Sequence, residues 1–389
     1  MMQNVISLEY RRYYSAFLVL LTLILLLLPN HVFSREKAWP GELISVGSHR
    51  LHIHCVGQGS PSVIIDSGIG GFSLEWSKVQ QLLANEVRIC SYDRAGYGWS
   101  DPGPRPRTTA RIASELRRLL QNARIPGPYI LVGHSFGGYN TRYFASTFPG
   151  LTAGLVLVDS SHHEQFNTEE FKRIQVKPAK ENPRFRNGIT LRLVHPVIAE
   201  GYPEHSKRLA YMLMSTVKAK STLMNELDFM PVSAEQVSEQ TNHPPYKFPV
   251  VILTRGKRVW PHDDVGERRE LQWLRLQSDL ENISLQSQHY MAKESGHIIH
   301  LDQPEFVAMN ISATVQNVRA LAHEQALSRK FDIRLPEHAS ITTFQPFSDS
   351  FHYDEDASNK NSILNKSVHQ VMFDNKLRHF GNHSTYFMR

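Results

Sequence analysis

The stretch GHSFGG, residues 133–138, follows directly on the apolar run YILV, residues 129–132. A short apolar run predicts a buried strand, and the helical pattern that comes next ends near residues 149–150. A serine between a strand and a helix, with glycines on both sides, is typical of a tight turn that lifts its hydroxyl above the sheet. Ser135 is therefore the candidate nucleophile. Such short motifs also arise by chance, so the prediction depends on the strand and helix around them.

A candidate general base lies downstream, in the segment SGHIIH at residues 295–300. His297 follows a strand-like stretch and precedes a helix, so it is predicted to lie in a loop. An imidazole on such a loop is well placed to accept the proton of a serine at the end of a neighbouring strand. We expect Asp302 to be the N-cap of the helix, with Pro304 in its first turn.

Composition and patterning predict one large α/β domain. The chain has 389 residues, of which 41% are hydrophobic and 21% are charged. Short apolar runs alternate with helical patterns such as the one over residues 109–123, which favours a mostly parallel sheet between helices. The predicted strands are residues 51–56, 62–66, 87–92, 129–132, 154–159, 250–254 and 283–291.

Taken together, these segments resemble the α/β-hydrolase fold superfamily, from about residue 42 to about residue 322. The motifs that carry the resemblance are DSGIGG (66–71), YDRAGYGWS (92–100), GHSFGG (133–138), LVLVD (155–159) and SGH (295–297). It implies an α/β-hydrolase fold with a mostly parallel eight-stranded sheet flanked by helices, and with a helical cap inserted after the sixth strand. The hydrolase domain is predicted over residues 42–327, with the cap over residues 162–248.

The resemblance also implies chemistry. A serine hydrolase of this kind cleaves a carboxylic ester, or an amide, through an acyl-enzyme on Ser135, and it uses no cofactor and no metal. The expected partner is a small-molecule ester or amide with an apolar acyl part. Two alternatives stay open: an acyltransferase that uses the same acyl-enzyme, and a non-catalytic binding protein on the same fold.

The family supplies two backbone amides to the oxyanion, one from the loop after the third strand and one from the residue after the nucleophile. The matching positions imply Ile69 or Gly70 together with Phe136. Amides aimed at a developing oxyanion commonly contribute about 3 to 4 kcal/mol each in the transition state.

The third member of the triad departs from the commonest family pattern. Residues 255–259, after the seventh predicted strand, contain no acid. Some family members carry the acid at the end of the sixth strand, where Asp159 stands, and Asp159 is the favoured candidate. Asp263 and Asp264, a few residues beyond the usual position, are the alternatives, and Asp159 has a second interpretation as a local turn residue.

The segment between the sixth and seventh strands contains two amphipathic stretches, which predict cap helices. Their apolar positions are Leu209, Met212, Leu213 and Val217 in the first, and Leu223, Leu227 and Met230 in the second. Residues 328–389 are polar and lie outside the resemblance, so we expect a poorly ordered tail.

The N-terminal segment, residues 1–34, carries two arginines before an apolar stretch over residues 13–28. It predicts a membrane anchor with the hydrolase domain on the extracytoplasmic side, and a cleaved secretory signal is the alternative. The net charge of +6 comes from scattered basic residues, which argues against a nucleic-acid partner.

The two cysteines are Cys55 and Cys90, and there is no zinc-type spacing. The topology of the family places their strands side by side. Export would permit a disulfide, whereas two buried free thiols are the alternative.

Overall fold

The computed structural model describes residues 40–167, 202, 204–240 and 245–331. All of these except Pro40 belong to one compact unit that begins at Gly41. The described strands are β1 (Glu42–Ser45), β2 (Arg50–Val56), β3 (Ser62–Asp66), β4 (Ile89–Tyr92), β5 (Tyr129–His134), β6 (Thr152–Val158), β7 (Val250–Arg255) and β8 (Ser287–Ala292). The described α-helices are α1 (Ser77–Leu83), α2 (Thr109–Asn122), α3 (Phe136–Thr147), α4 (Glu204–Met214), α5 (Val217–Asp228), α6 (Met230–Glu239), α7 (Asp264–Asp279), α8 (Ile299–Asp302) and α9 (Pro304–Phe331).

The eight strands form a single sheet in the order β1-β2-β4-β3-β5-β6-β7-β8. β2 pairs antiparallel with β1 and β4, and the other neighbours are parallel. The predicted mostly parallel eight-stranded sheet is thus confirmed. Because parallel strands expose their carboxyl ends at the same edge, the residues that follow β3, β5 and β6 meet at that edge.

Two apolar cores cover the two faces of the sheet. In β3, Ile64 contributes to the core that contains the buried face of α2, while Val63 and Ile65 contribute to the core that contains α1 and α9. This alternation follows from the two-residue period of a strand. Both faces are covered by helices, as a parallel sheet requires.

The predicted cap is represented by three helices between β6 and β7, namely α4, α5 and α6. Leu223 and Met230 are buried as the amphipathic pattern predicts, but Met212 and Val217 are 58% and 83% exposed. Val217 is the first residue of α5, which follows α4 after residues 215–216.

Cys55 and Cys90 lie directly opposite each other on the antiparallel strands β2 and β4 and form a disulfide. Both described cysteines are therefore oxidised, and the free-thiol alternative does not hold.

The predicted anchor over residues 1–34 lies outside the described residues and stays a prediction. In the part of the chain that the structure describes, every helix is too short or too polar to cross a membrane. At the other end, α9 runs to Phe331, past the predicted domain end at residue 327. The rest of the predicted tail, residues 332–389, lies outside the described residues.

Candidate active site

Ser135 occupies the turn between β5 and α3, with φ 50° and ψ −120°. A positive φ in a residue other than glycine is strained, so the surrounding packing must hold it. A Cβ at Gly133 would lie 2.4 Å from Thr141 Oγ1, and one at Gly137 would lie 2.1 Å from the carbonyl oxygen of Asp66. The glycines are needed because helix and strands approach closely here. Among the described residues, Ser135 Oγ has no hydrogen-bond partner.

His297 lies beside this turn. Its ring centroid is 4.8 Å from that of His134, and its carbonyl oxygen accepts a hydrogen bond from His134 Nε2 at 2.9 Å. The loop that carries His297 is also held by Asp302, whose carboxylate accepts hydrogen bonds from Gly296 N at 2.8 Å and from Ser295 Oγ at 3.0 Å. The predicted N-cap role of Asp302 is wrong, because Asp302 ends α8 and the next helix begins at Pro304.

The carboxylate nearest to the His297 ring is that of Asp159, which follows β6. Asp159 Oδ2 accepts from His297 Nδ1 at 2.6 Å, and Asp159 Oδ1 accepts from Trp273 Nε1 at 2.9 Å. Asp159 has a φ of 40°, so a second strained residue stands at the end of a neighbouring strand. The structure thus brings Asp159 and His297 together.

Arg255, the last residue of β7, pairs with Asp159 at 3.0 Å and with Glu270 at 3.0 Å. Burial tends to raise the pKa of Asp159, but the Arg255 guanidinium and the His297 hydrogen bond outweigh it and hold that pKa below its ordinary value. Asp159 is therefore a buried, ionised acceptor.

The alternative acids lie elsewhere. Asp263 accepts a hydrogen bond from Gly266 N at 2.7 Å and caps α7, and Asp264 is exposed in the first turn of that helix. An Asp at an N-cap satisfies an otherwise unbonded helix amide, which accounts for its presence at this position. Within the described residues, neither Asp263 nor Asp264 bonds to His297.

The segment of residues 67–71, here called the oxyanion loop, lies against Ser135. A Cβ at Gly68 would lie 3.2 Å from Ser135 Cβ. The amide of Gly70 donates to Tyr97 Oη at 3.3 Å, whereas those of Ile69 and Phe136 donate to no described residue. Of the amides predicted from the resemblance, Ile69 and Phe136 are the two left available for an oxyanion.

The oxyanion loop is held by Arg94, from the YDRAGYGWS segment. Arg94 donates to the carbonyl oxygens of Ser67 and Gly68 at 2.5 and 2.8 Å. It also pairs with Asp66 at 2.8 Å and, through two hydrogen bonds of 2.8 and 2.9 Å, with Glu226 of the cap helix α5. All three charged side chains are fully buried, so the network connects the cap to the loop.

A second polar cluster, formed by Glu75, His134 and His300, also lies against this loop. Burial raises the pKa of Glu75, lowers that of His134 well below its ordinary value and lowers that of His300 to about 3. Within the described residues these are the side chains that could hold a metal ion, since one nitrogen or oxygen of each lies within 4.8 Å of the others.

Comparison with known proteins agrees with this architecture. The family model of the alpha/beta hydrolase fold matches residues 61–199, a range that includes the oxyanion loop, the Ser135 turn and Asp159. The chain therefore has the α/β-hydrolase fold, with the family model matched over the part that contains the candidate site.

Curated relatives match this hydrolase over different lengths. It is 24% identical over 277 residues to the uncharacterized protein YqjL of Bacillus subtilis, which covers 71% of this chain and 92% of that protein. It is 37% identical over 127 residues to the probable transporter efuK of Hormonema carpetanum, which covers 31% of this chain and 18% of that one. The hydrolase thus spans under a fifth of efuK.

Two solved structures illustrate the fold. The epoxide hydrolase CorEH has a TM-score of 0.57 at 15% identity and covers 72% of this chain and 99% of its own. A thermophilic esterase from Thermogutta terrifontis has a TM-score of 0.53 at 20% identity, with the same two coverages. At these identities the likeness establishes the fold alone.

Sequence reasoning did not assign roles to several residues that support the site of the hydrolase. The sequence marks Arg255 only as a position without an acid, and Arg94 only as part of a motif. Their burial, which the fold shows, is what requires carboxylate partners. Glu226 carried no local signal, because its partners are more than a hundred residues away in the chain.

Proposed function

We propose that this α/β-hydrolase is a serine hydrolase that cleaves carboxylic esters, or amides, through an acyl-enzyme on Ser135. One observation carries the proposal: the His297 ring packs against His134, the residue before the strained Ser135, and is hydrogen-bonded to a buried, ionised aspartate. An aspartate rather than a serine at the turn would favour the alkyl-enzyme chemistry of epoxide hydrolases, so the residue type separates the two reactions.

In the first half-reaction, Ser135 Oγ attacks the substrate carbonyl carbon while His297 Nε2 accepts the hydroxyl proton. The carbonyl oxygen becomes an oxyanion and accepts hydrogen bonds from the backbone amides of Ile69 and Phe136. Collapse of the intermediate breaks the bond to the leaving group, which takes the proton from His297. Water then repeats the sequence on the acyl-enzyme and releases the acid. Asp159 accepts a hydrogen bond from His297 Nδ1 throughout and so holds the required tautomer of His297.

The surroundings of the oxyanion loop support an apolar acyl group. Ile69, Phe72 and Phe136 belong to one apolar cluster that the cap completes with Leu223 and Met230. An acyl chain bound between the cap and the loop would therefore contact mainly hydrocarbon.

Active-site labelling tests the proposal. Wild-type protein should react with a fluorophosphonate probe and hydrolyse a panel of p-nitrophenyl esters, and Ser135→Ala should abolish labelling and lower turnover by several orders of magnitude. Ser312→Ala, at a serine on α9 that bonds Glu86, is the matched control and should react normally. Labelling of Ser135→Ala at the wild-type rate would contradict the proposal, and product partitioning toward added glycerol would indicate an acyltransferase.

We also propose that the hydrolase domain is extracytoplasmic and anchored by residues 1–34. The Cys55–Cys90 disulfide supports export, because disulfides persist mainly in oxidising compartments. Full-length protein should stay with membranes in high salt. Mature protein that begins between residues 34 and 39 would instead indicate a cleaved signal.

A further inference from the structure

We propose that Glu75, His134 and His300 bind one divalent transition-metal ion beside the oxyanion loop. The three side chains are buried, and their ligand atoms lie within 4.8 Å of one another. Three atoms with that spacing share a point no more than about 2.8 Å from each, whereas Zn–N and Zn–O bonds measure about 2.0–2.2 Å. Side-chain shifts of less than about 1 Å therefore complete the coordination.

The hydrogen bonding of His134 leaves the lone pair of Nδ1 free to bind a metal ion. Nε2 must carry a hydrogen, because it donates to the carbonyl oxygen of His297 at 2.9 Å. In the neutral ring, Nδ1 is then unprotonated, and it has no hydrogen-bond partner among the described residues. Metal-binding histidines almost always donate their other ring N–H to a carboxylate, a carbonyl or a water, so His134 already has the arrangement of a ligand.

Glu75 and His300 also have buried polar atoms without hydrogen-bond partners. Glu75 Oε1 and both ring nitrogens of His300 lack hydrogen-bond partners within the described part of the chain. The distance of 3.6 Å between His300 Nε2 and Glu75 Oε1 is too long for a hydrogen bond. No described Lys or Arg lies within ion-pair distance of Glu75. A water molecule would satisfy these lone pairs without balancing the carboxylate charge, whereas a divalent cation would coordinate the lone pairs and balance the charge.

Two imidazole nitrogens and one carboxylate oxygen suit Zn²⁺ and neighbouring divalent metals. The expected role is structural. A Cβ at Gly71 would lie 2.5 Å from Glu75 Oε1, so the carboxylate lies against the oxyanion loop. His134 precedes Ser135 and holds the His297 loop. An ion here would fasten the three parts of the candidate active site to one another.

Metal content tests the proposal on the full chain, expressed without a polyhistidine tag in zinc-supplemented medium. Elemental analysis should find about one zinc per chain after gel filtration, and protein grown with Co²⁺ should display the visible absorption of a low-coordinate Co²⁺ site. Glu75→Gln and His300→Phe should each lower the retained metal at least about tenfold. His300→Phe keeps an aromatic ring on Trp76, against which His300 stacks at 3.9 Å.

His162→Gln is the matched control, because His162 is also fully buried but pairs with Asp279 at 3.0 Å; it should retain the metal. Wild-type protein without zinc and without the cobalt spectrum would overturn the proposal. So would Glu75→Gln and His300→Phe proteins that retain as much metal as the wild type. If either variant fails to fold, the wild-type measurements decide. None of these readouts uses ester turnover, so they are independent of Ser135 labelling.

Discussion

Two buried arginines hold opposite sides of the Ser135 turn, and they do so in different ways. Arg255 binds a side chain, the Asp159 carboxylate, and its guanidinium carbon lies 4.7 and 5.0 Å from the ring centroids of Trp260 and Trp273. Arg94 binds backbone carbonyls of the oxyanion loop. The first arginine therefore acts on the charge of the site, and the second acts on the position of its amides.

Their counter-ions also come from different parts of the chain. Arg255 takes Asp159 and Glu270 from the neighbouring strand end and from α7, which belong to the hydrolase core. Arg94 takes Asp66 from the core but Glu226 from the cap. The cap is thus connected to the oxyanion loop through the side chain of Arg94. Lys218 on the same helix adds to this by donating to the carbonyl oxygens of Gly98 and Ser100.

The largest expected effect is on the Arg255 side. Asp159→Asn should lower turnover by about four orders of magnitude, because loss of the acceptor allows the wrong tautomer of His297. Steady-state kinetics on an ester substrate measure this. Asp263→Asn is the control and should change turnover little, since Asp263 serves as a helix cap. The reverse ranking of the two variants would remove Asp159 from the triad.

A smaller effect is expected on the Arg94 side. Glu226→Gln keeps the volume but removes the charge that orients Arg94, so the oxyanion loop should lose its fixed position. We expect kcat to fall by about 10- to 100-fold with KM nearly unchanged, less than the 10²–10³ typical of deleting an oxyanion donor.

Glu115→Gln is the matched control. Glu115 forms a comparable buried ion pair with Arg107, with a nitrogen-to-oxygen distance of 2.8 Å, and this pair does not contact the oxyanion loop. Equal losses of kcat in both variants would mean that Glu226 serves stability alone. A loss that appears only in KM would mean that Glu226 affects substrate binding and not the amides.

The two sides also differ in how far the sequence predicts them. The strand-turn-helix at Ser135, the loop position of His297 and the acid after β6 follow from motifs that are contiguous in the chain. The pattern does not predict strand β1, because Glu42–Ser45 is a short edge strand without an apolar run. The Arg94–Glu226 pair depends on how the cap helix is turned, which amphipathic spacing does not specify. Similarly, only the folded contacts distinguish the bonded amide of Gly70 from that of Ile69.

The smallest expected effect concerns pH. Burial raises the pKa of Asp159 and Arg255 is the main group that lowers it, so Arg255→Met should raise that pKa. Because only the ionised carboxylate stabilises the His297 imidazolium, the acid limb of the turnover profile should move to higher pH, while turnover near pH 8 changes least. A carboxylate with a depressed pKa loses its contribution as the pH falls through that pKa. Because the pKa of Asp159 is higher in Arg255→Met, the variant loses the ionised carboxylate at a higher pH than the wild type.

Full pH–turnover profiles of the variants measure the shift. Glu270→Gln is the control, because it removes the other partner of Arg255 and leaves the Asp159 pair in place; its acid limb should match that of the wild type. Breaking a buried pair typically costs about 3–5 kcal/mol of stability, so Arg255→Met is to be assayed at low temperature. Should it fail to fold, Arg255→Lys retains a cation with poorer geometry and should give a smaller shift in the same direction. An acid limb that stays fixed in Arg255→Met and Arg255→Lys would mean that Arg255 orients Asp159 without controlling its charge, and the contrast with Arg94 would disappear.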